Sequence, residues 1–128
     1  EISLSDFELP NTINDLVVEG AGGILVPLNN TNTMADLMKQ LNIPVILVSN
    51  LYLGNINHTL LSYEYLKKAD IPLYGIVFNG PPNAASEEVI LKMTGLPVLL
   101  RIMQEEEVTP AVVLKYADKL RENLQNFN

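Results

Sequence analysis

Short, unbroken apolar runs separated by helix-length stretches place the strongest limit on what this chain can become. Asp15-Leu16-Val17-Val18-Glu19, Val45 to Ser49, Leu73 to Asn79 and Val98 to Ile102 are each strand-sized. Their apolar residues are contiguous rather than alternating, so both faces of each strand must be covered. Between them lie segments with helix signals. Thr33-Met34-Ala35-Asp36 fits a capping box that opens a helix through about Leu41. A second helix is expected from about Ile56 to Ala69, with Lys67 and Lys68 suiting the negative end of its dipole. Ser86 is the expected cap of a third, with Glu87 and Glu88 in its first turn and Gly95 ending it. Thr109 and Pro110 fit the N-cap and first position of a last helix. Its expected apolar face is Val113, Ala117, Leu120, Leu124 and Phe127. Strands alternating with helices imply an α/β fold, a parallel sheet with helices on both faces, of Rossmann-like type. No repeat, linker or low-complexity stretch divides residues 1–128, which read as a single domain.

Composition narrows the classes. Apolar residues make up 48% and charged residues 18%, a globular balance. No apolar run reaches the roughly 18 residues of a membrane span, and no basic, apolar leader is present, so no membrane partner and a cytoplasmic location are expected. There is no cysteine, which excludes disulfides, thiolate metal sites and cysteine catalysis. A formal charge of −7 does not build the basic stripe that nucleic acid requires. The chain starts at Glu1 rather than Met, which fits an upstream portion removed from a longer protein.

In parallel sheets, ligands bind beyond the C-terminal strand ends. Four segments therefore draw interest. In Glu19-Gly20-Ala21-Gly22-Gly23, a carboxylate can hold Mg²⁺ and the glycines let backbone N–H groups approach phosphate; a strand-end acid beside a tight turn fits equally well. Leu53-Gly54-Asn55-Ile56-Asn57 joins a glycine to a helix start, which suits an anion such as a carboxylate, although an ordinary helix start has the same form. His58, the single histidine, has no nucleophile nearby in sequence, and a structural hydrogen bond is the expected role. Asn79-Gly80-Pro81-Pro82 could pair with an adenine edge through one donor and one acceptor, or simply form a turn. Glu105-Glu106-Glu107 reads as a solvated charge run.

Taken together and in order, these motifs resemble the dethiobiotin synthase family. Val17 to Leu28 resembles its V-E-G-A-G-G segment followed by apolar residues and P-L. Pro44 to Val48 and Leu53-Gly54-Asn55-Ile56-Asn57-His58 resemble its P-V-I-L-V and L-G-x-I-N-H. Gly75 to Asn79 resembles its G-x-x-x-N. The resemblance is strong from about Asp15 to Asn79 and weaker beyond. It implies a P-loop NTPase-like fold, a homodimer, and an ATP- and Mg²⁺-dependent reaction joining CO₂ to 7,8-diaminopelargonate to close a ureido ring. By motif, Glu19 resembles the Mg²⁺ carboxylate, and Gly20, Ala21 and Gly22 the backbone around the nucleotide phosphates. Asn79 and Gly80 resemble the adenine-reading position. Met103, Gln104 and Glu105 stand in the loop whose backbone holds the base. Leu53, Gly54, Asn55, Ile56 and Asn57 resemble the helix start that takes the substrate's carboxylate from the neighbouring subunit.

Two departures qualify the likeness. No G-x-x-x-x-G-K-[ST] spacing occurs, and no lysine precedes Lys39. The chain therefore corresponds to the C-terminal half of such a domain, lacking the N-terminal phosphate-binding half, and is expected to be inactive alone. An apolar strand edge left open by the missing half would favour association. The second departure is Met103, where relatives carry proline. A non-catalytic pseudo-enzyme or binding module of the same fold is the competing expectation.

Overall fold

The computed structural model describes residues 2–125. Its elements, in order, are a single 3₁₀ turn at Leu4–Asp6, then α1 (Met34–Leu41), β1 (Val45–Asn50), α2 (Asn55–Lys68), β2 (Leu73–Asn79), α3 (Ala84–Thr94), β3 (Val98–Ile102) and α4 (Pro110–Gln125). The strands form one parallel sheet in the order β1-β2-β3. The α/β fold with covering helices thus agrees with the sequence pattern.

Register decides which side chains share a face. Leu47 pairs with Ile76 and Ser49 with Phe78, so these four point to one side. There Ile76 and Phe78 pack with Ile90 of α3, and Ile56 of α2 adds to the cluster. On the other side, Val77, Leu99 and Leu100 pack against Tyr116 of α4. Ala35, Leu66 and Ile71 form a third cluster, joining α1 to the end of α2. Close approach of β2 and β3 demands a glycine at position 75: a Cβ there would stand 2.6 Å from Leu99 Cγ and 2.9 Å from the Pro97 carbonyl oxygen.

Helix ends follow local chemistry. The Asp36 carboxylate accepts from both the backbone N–H (2.6 Å) and the hydroxyl (2.8 Å) of Thr33, which fixes the start of α1. These bonds, the backbone one foremost, hold the Asp36 carboxyl below the usual carboxylate range. Gly95 closes α3 in the left-handed conformation, φ +66.

Three expectations are corrected. Asp15 to Glu19 is not a strand: residues 11–20 are exposed and pair with nothing in a sheet, and Val17 is 92% exposed. A parallel strand needs a neighbour's backbone ladder, and no described strand pairs with this segment. The face of β1 carrying Ile46 and Val48 is itself uncovered (47% and 60% exposed). The cap of α3 is Asn83, whose side chain accepts from the Ser86 N–H at 3.0 Å; Ser86 lies inside the first turn. Ala84 and Ala85 are strong helix formers, so the helix starts earlier. The buried stripe of α4 runs through Val112, Tyr116, Leu120 and Leu124, whereas Val113 and Ala117 are exposed. Tyr116 takes the central core position, which shifts the face. Phe127 lies outside the described residues.

Candidate functional site

The C-terminal ends of all three strands lie side by side. Asn50 is in register with Asn79, and Asn79 with Ile102. Backbone bonds continue the alignment past the strands: Leu51 N–H donates to the Asn79 carbonyl and Gly80 N–H to the Ile102 carbonyl (2.8 and 2.9 Å). Gly80 makes its turn at φ +108. The structure thus brings Asn79, Gly80 and Met103 to one edge of the sheet.

Asn79 is oriented by Asn50, which lies in the strand-end segment from Ser49 to Asn57 where a ligand is expected but has no role of its own in that expectation. Its Nδ2 donates to Asn50 Oδ1 at 2.9 Å, leaving its own Oδ1 unengaged among the described residues. An asparagine at the matching end of two adjacent strands is the signal that could have pointed to this pair.

The following loop is held just as firmly. Met103 N–H donates to the Tyr116 hydroxyl at 2.9 Å, and that hydroxyl donates to Glu105 Oε1 at 2.6 Å. Lys115 Nζ reaches the same oxygen at 2.8 Å. The Lys115 and Tyr116 bonds hold the Glu105 carboxyl below its ordinary range, and the Lys115 ammonium is raised in turn. Glu105 is therefore not part of a merely solvated run, whereas Glu106 and Glu107 are exposed.

At the start of α2, Gly54 is the N-cap with φ +98, a conformation glycine adopts without strain. No side chain caps this end; the Asn55 N–H donates to the Tyr52 carbonyl at 3.0 Å, and the Ile56 and Asn57 amides have no cap among the described residues. Leu53, Gly54 and Asn57 are exposed, Ile56 is half-buried, and Asn55 is only 5% exposed. Asn55 Nδ2 is buried without a hydrogen-bond partner. An unpaired buried donor costs about 1–3 kcal/mol unless a partner arrives. It lines a recess of about 130 Å³ together with Ser49, Asn50, Tyr52, His58 and Thr59. Ser49 and Thr59 share a buried hydroxyl bond of 2.8 Å that ties β1 to α2. His58 Nδ1 bonds the Tyr52 hydroxyl, the structural role expected of it. Asn50 both lines this recess and accepts from the Asn79 side chain.

Glu19 to Gly23 stands apart. Gly20 lies against α1, where a Cβ would meet Met34 Cε at 3.0 Å, and Gly22 turns at φ +73. Glu19 is exposed and makes no hydrogen bond or ion pair among the described residues. Among the described residues no group of three or more acidic or histidine side chains could hold a metal. A lone carboxylate fits Mg²⁺ as one ligand among waters and phosphate oxygens, not as a cage. A larger concavity lies elsewhere, over α3 and β3, where buried Glu87 pairs with Arg101 at 2.7 Å.

Comparison with known proteins identifies the class first. A family model described as an AAA domain, of P-loop NTPase type, matches residues 1–112. An ATP-dependent dethiobiotin synthetase of Cytophaga hutchinsonii is 57% identical over 124 residues, covering 96% of this chain and 60% of the relative. The corresponding protein of Christiangramia forsetii is 44% identical, covering 97% and 59%. A biotin biosynthesis bifunctional protein of Bordetella avium is 38% identical over 93% of this chain and 26% of its own length. The chain spans about three-fifths of the length of the first two. It belongs to the dethiobiotin synthetase family. No described helix is long and apolar enough to cross a membrane.

Proposed function

We propose that these residues furnish the base-reading and substrate-carboxylate portions of an ATP-dependent dethiobiotin synthetase, acting in a homodimer. The observation that supports the reading is the alignment of Asn79 and Gly80 with Ile102 at the strand ends, which sets a side-chain amide beside the loop that begins at Met103. With Asn50 accepting from its Nδ2, Asn79 offers Oδ1 to the amino group of adenine.

The start of α2 would take the carboxylate of 7,8-diaminopelargonate. Its Ile56 and Asn57 amides and the helix dipole favour a negative group, and the unpartnered Asn55 Nδ2 beneath them supports the reading of a polar ligand here. Exposure of Leu53, Gly54 and Asn57 lets this segment serve a neighbouring subunit's site, which is why a homodimer is part of the proposal. Glu19 would supply one Mg²⁺ ligand, with Gly20, Ala21 and Gly22 beside the phosphates. Bound with Mg²⁺, ATP would phosphorylate a carbamate made from CO₂ and one amine of the diamine, releasing ADP, and attack by the second amine would close the ring with loss of phosphate. Phosphoryl transfer depends on cations placed around the phosphates, and residues 1–128 contain no glycine-lysine phosphate loop.

Two measurements test this. In the complete protein, Asn57→Ala weakens diamine binding far more than ATP binding, and Asn79→Ala does the reverse; equal effects on both ligands by both variants would refute it. The 128-residue chain alone gives no turnover with ATP, bicarbonate and the diamine, and clear activity would disprove the need for further residues.

A further inference from the structure

We infer that Tyr116 is a positioning residue for the nucleotide base: its hydroxyl, lodged between the Met103 N–H and the Glu105 carboxylate, sets the loop that meets the base and thereby the base preference. The inference rests on the proposed reading of residues 103–105 as that loop.

The geometry is specific. Tyr116 is the buried residue of α4, 7% exposed, and its ring packs with Val77, Leu99 and Leu100. The ring is thus anchored in the core beneath β3, while its hydroxyl emerges where β3 ends. A phenol has one proton and two lone pairs. The ionised Glu105 carboxylate can only accept, so the proton goes there, and a lone pair receives Met103 N–H. Two residues flanking Gln104 are consequently tied to the same oxygen. Gln104 itself is exposed and makes no hydrogen bond among the described residues.

This arrangement restricts what the loop can present. The Met103 N–H is withdrawn from ligand chemistry, leaving the loop carbonyls and the Gln104 backbone between two tethered residues at the end of β3. It also accounts for the tolerance of methionine at a position where proline would have no N–H to give: the hydroxyl accepts the extra donor. A loop pinned on both sides of its middle residue loses less conformational entropy when a base binds.

The test uses the complete protein, with ATP and GTP binding measured by calorimetry without diamine. Tyr116→Phe keeps the ring in the core but removes the hydroxyl. It should lower ATP affinity by about tenfold, as loss of a charge-assisted bond implies, and narrow the ATP-over-GTP ratio, while diamine affinity stays unchanged. Amide hydrogen exchange at Met103 should quicken in the unliganded variant. Glu105→Ala should behave like Tyr116→Phe, and Glu105→Gln, whose amide oxygen still accepts, should restore most of the preference. An unchanged ATP-over-GTP ratio in Tyr116→Phe, or equal loss for nucleotide and diamine, overturns the inference. Asn79→Ala separates the two levels. If it weakens ATP binding selectively and Tyr116→Phe does not, only the role of Tyr116 falls; if the unaltered protein binds no nucleotide, the proposed function falls with it.

Discussion

Residues 11–23 and residues 45–79 carry motifs of similar strength, yet only the second stretch becomes architecture. Both contain apolar runs ending in polar or glycine-rich turns. In the second, β1 and β2 satisfy each other's backbone groups, and Ile76 and Leu66 are fully buried. In the first, Leu16, Val17 and Val18 are exposed and no ladder forms. The difference teaches that an apolar run becomes a strand where a partner's backbone ladder and one covered face are supplied: β1 lies at the sheet edge with Ile46 and Val48 uncovered, yet β2 pairs with it along its length. Hydrophobicity is a property of the segment; strandedness is a property of the sheet it joins.

The contrast can be tested directly. Ile76→Ala should destabilise the folded chain by about 2–5 kcal/mol, because it opens a cavity in a closed cluster, whereas Val17→Ala should change stability by less than about 0.5 kcal/mol. Denaturant unfolding of the 128-residue chain measures both, and a comparable cost at the two positions would break the distinction. A smaller effect lies at the boundary between the regions. Asp36→Ala removes the acceptor that serves both donors of Thr33 and should cost about 1 kcal/mol. The smallest is a pH effect. Because the Glu105 carboxyl lies below its ordinary value when folded, its stabilisation is fully present above that ordinary value and is lost as pH falls through the lowered one. Thermal midpoints measured from about pH 6 down to pH 3 should therefore fall less steeply in Lys115→Ala than in the unaltered chain. Identical slopes would show that this pair, exposed to solvent, contributes nothing.

Much of the fold could be read from residues alone. Thr33, Gly95 and the Thr109-Pro110 pair mark helix ends through chemistry confined to one turn, and the runs that became β1, β2 and β3 are apolar throughout. Where the reading slipped, the missing information was non-local. Ser86 gave way to Asn83 because two alanines extended the helix backward. The stripe of α4 turned onto Tyr116, whose amphipathic ring buries its body while its hydroxyl serves a loop eleven residues earlier. Of the site, Asn50, Asn79 and Ile102 come side by side through register, which no linear motif expresses. Its supports, Asn50 beside Asn79 and Tyr116 beside Met103, depend on contacts across 29 and 13 residues. Glu19 is the reverse case, a strong motif whose surroundings are not built by the described residues.

Since β1, β2 and β3 lie side by side in the sequence in which a ribosome would deliver them, each new strand finds its partner already synthesised. Growth of the sheet can proceed one βα unit at a time, with short loops to close and little need to wait for distant segments. The loop after β3 is the exception, for its anchor arrives last, on α4. Nascent chains halted before residue 116 would hold a formed sheet edge whose final loop has no fixed shape, so maturation of this surface is tied to the docking of the terminal helix rather than to the pairing of strands.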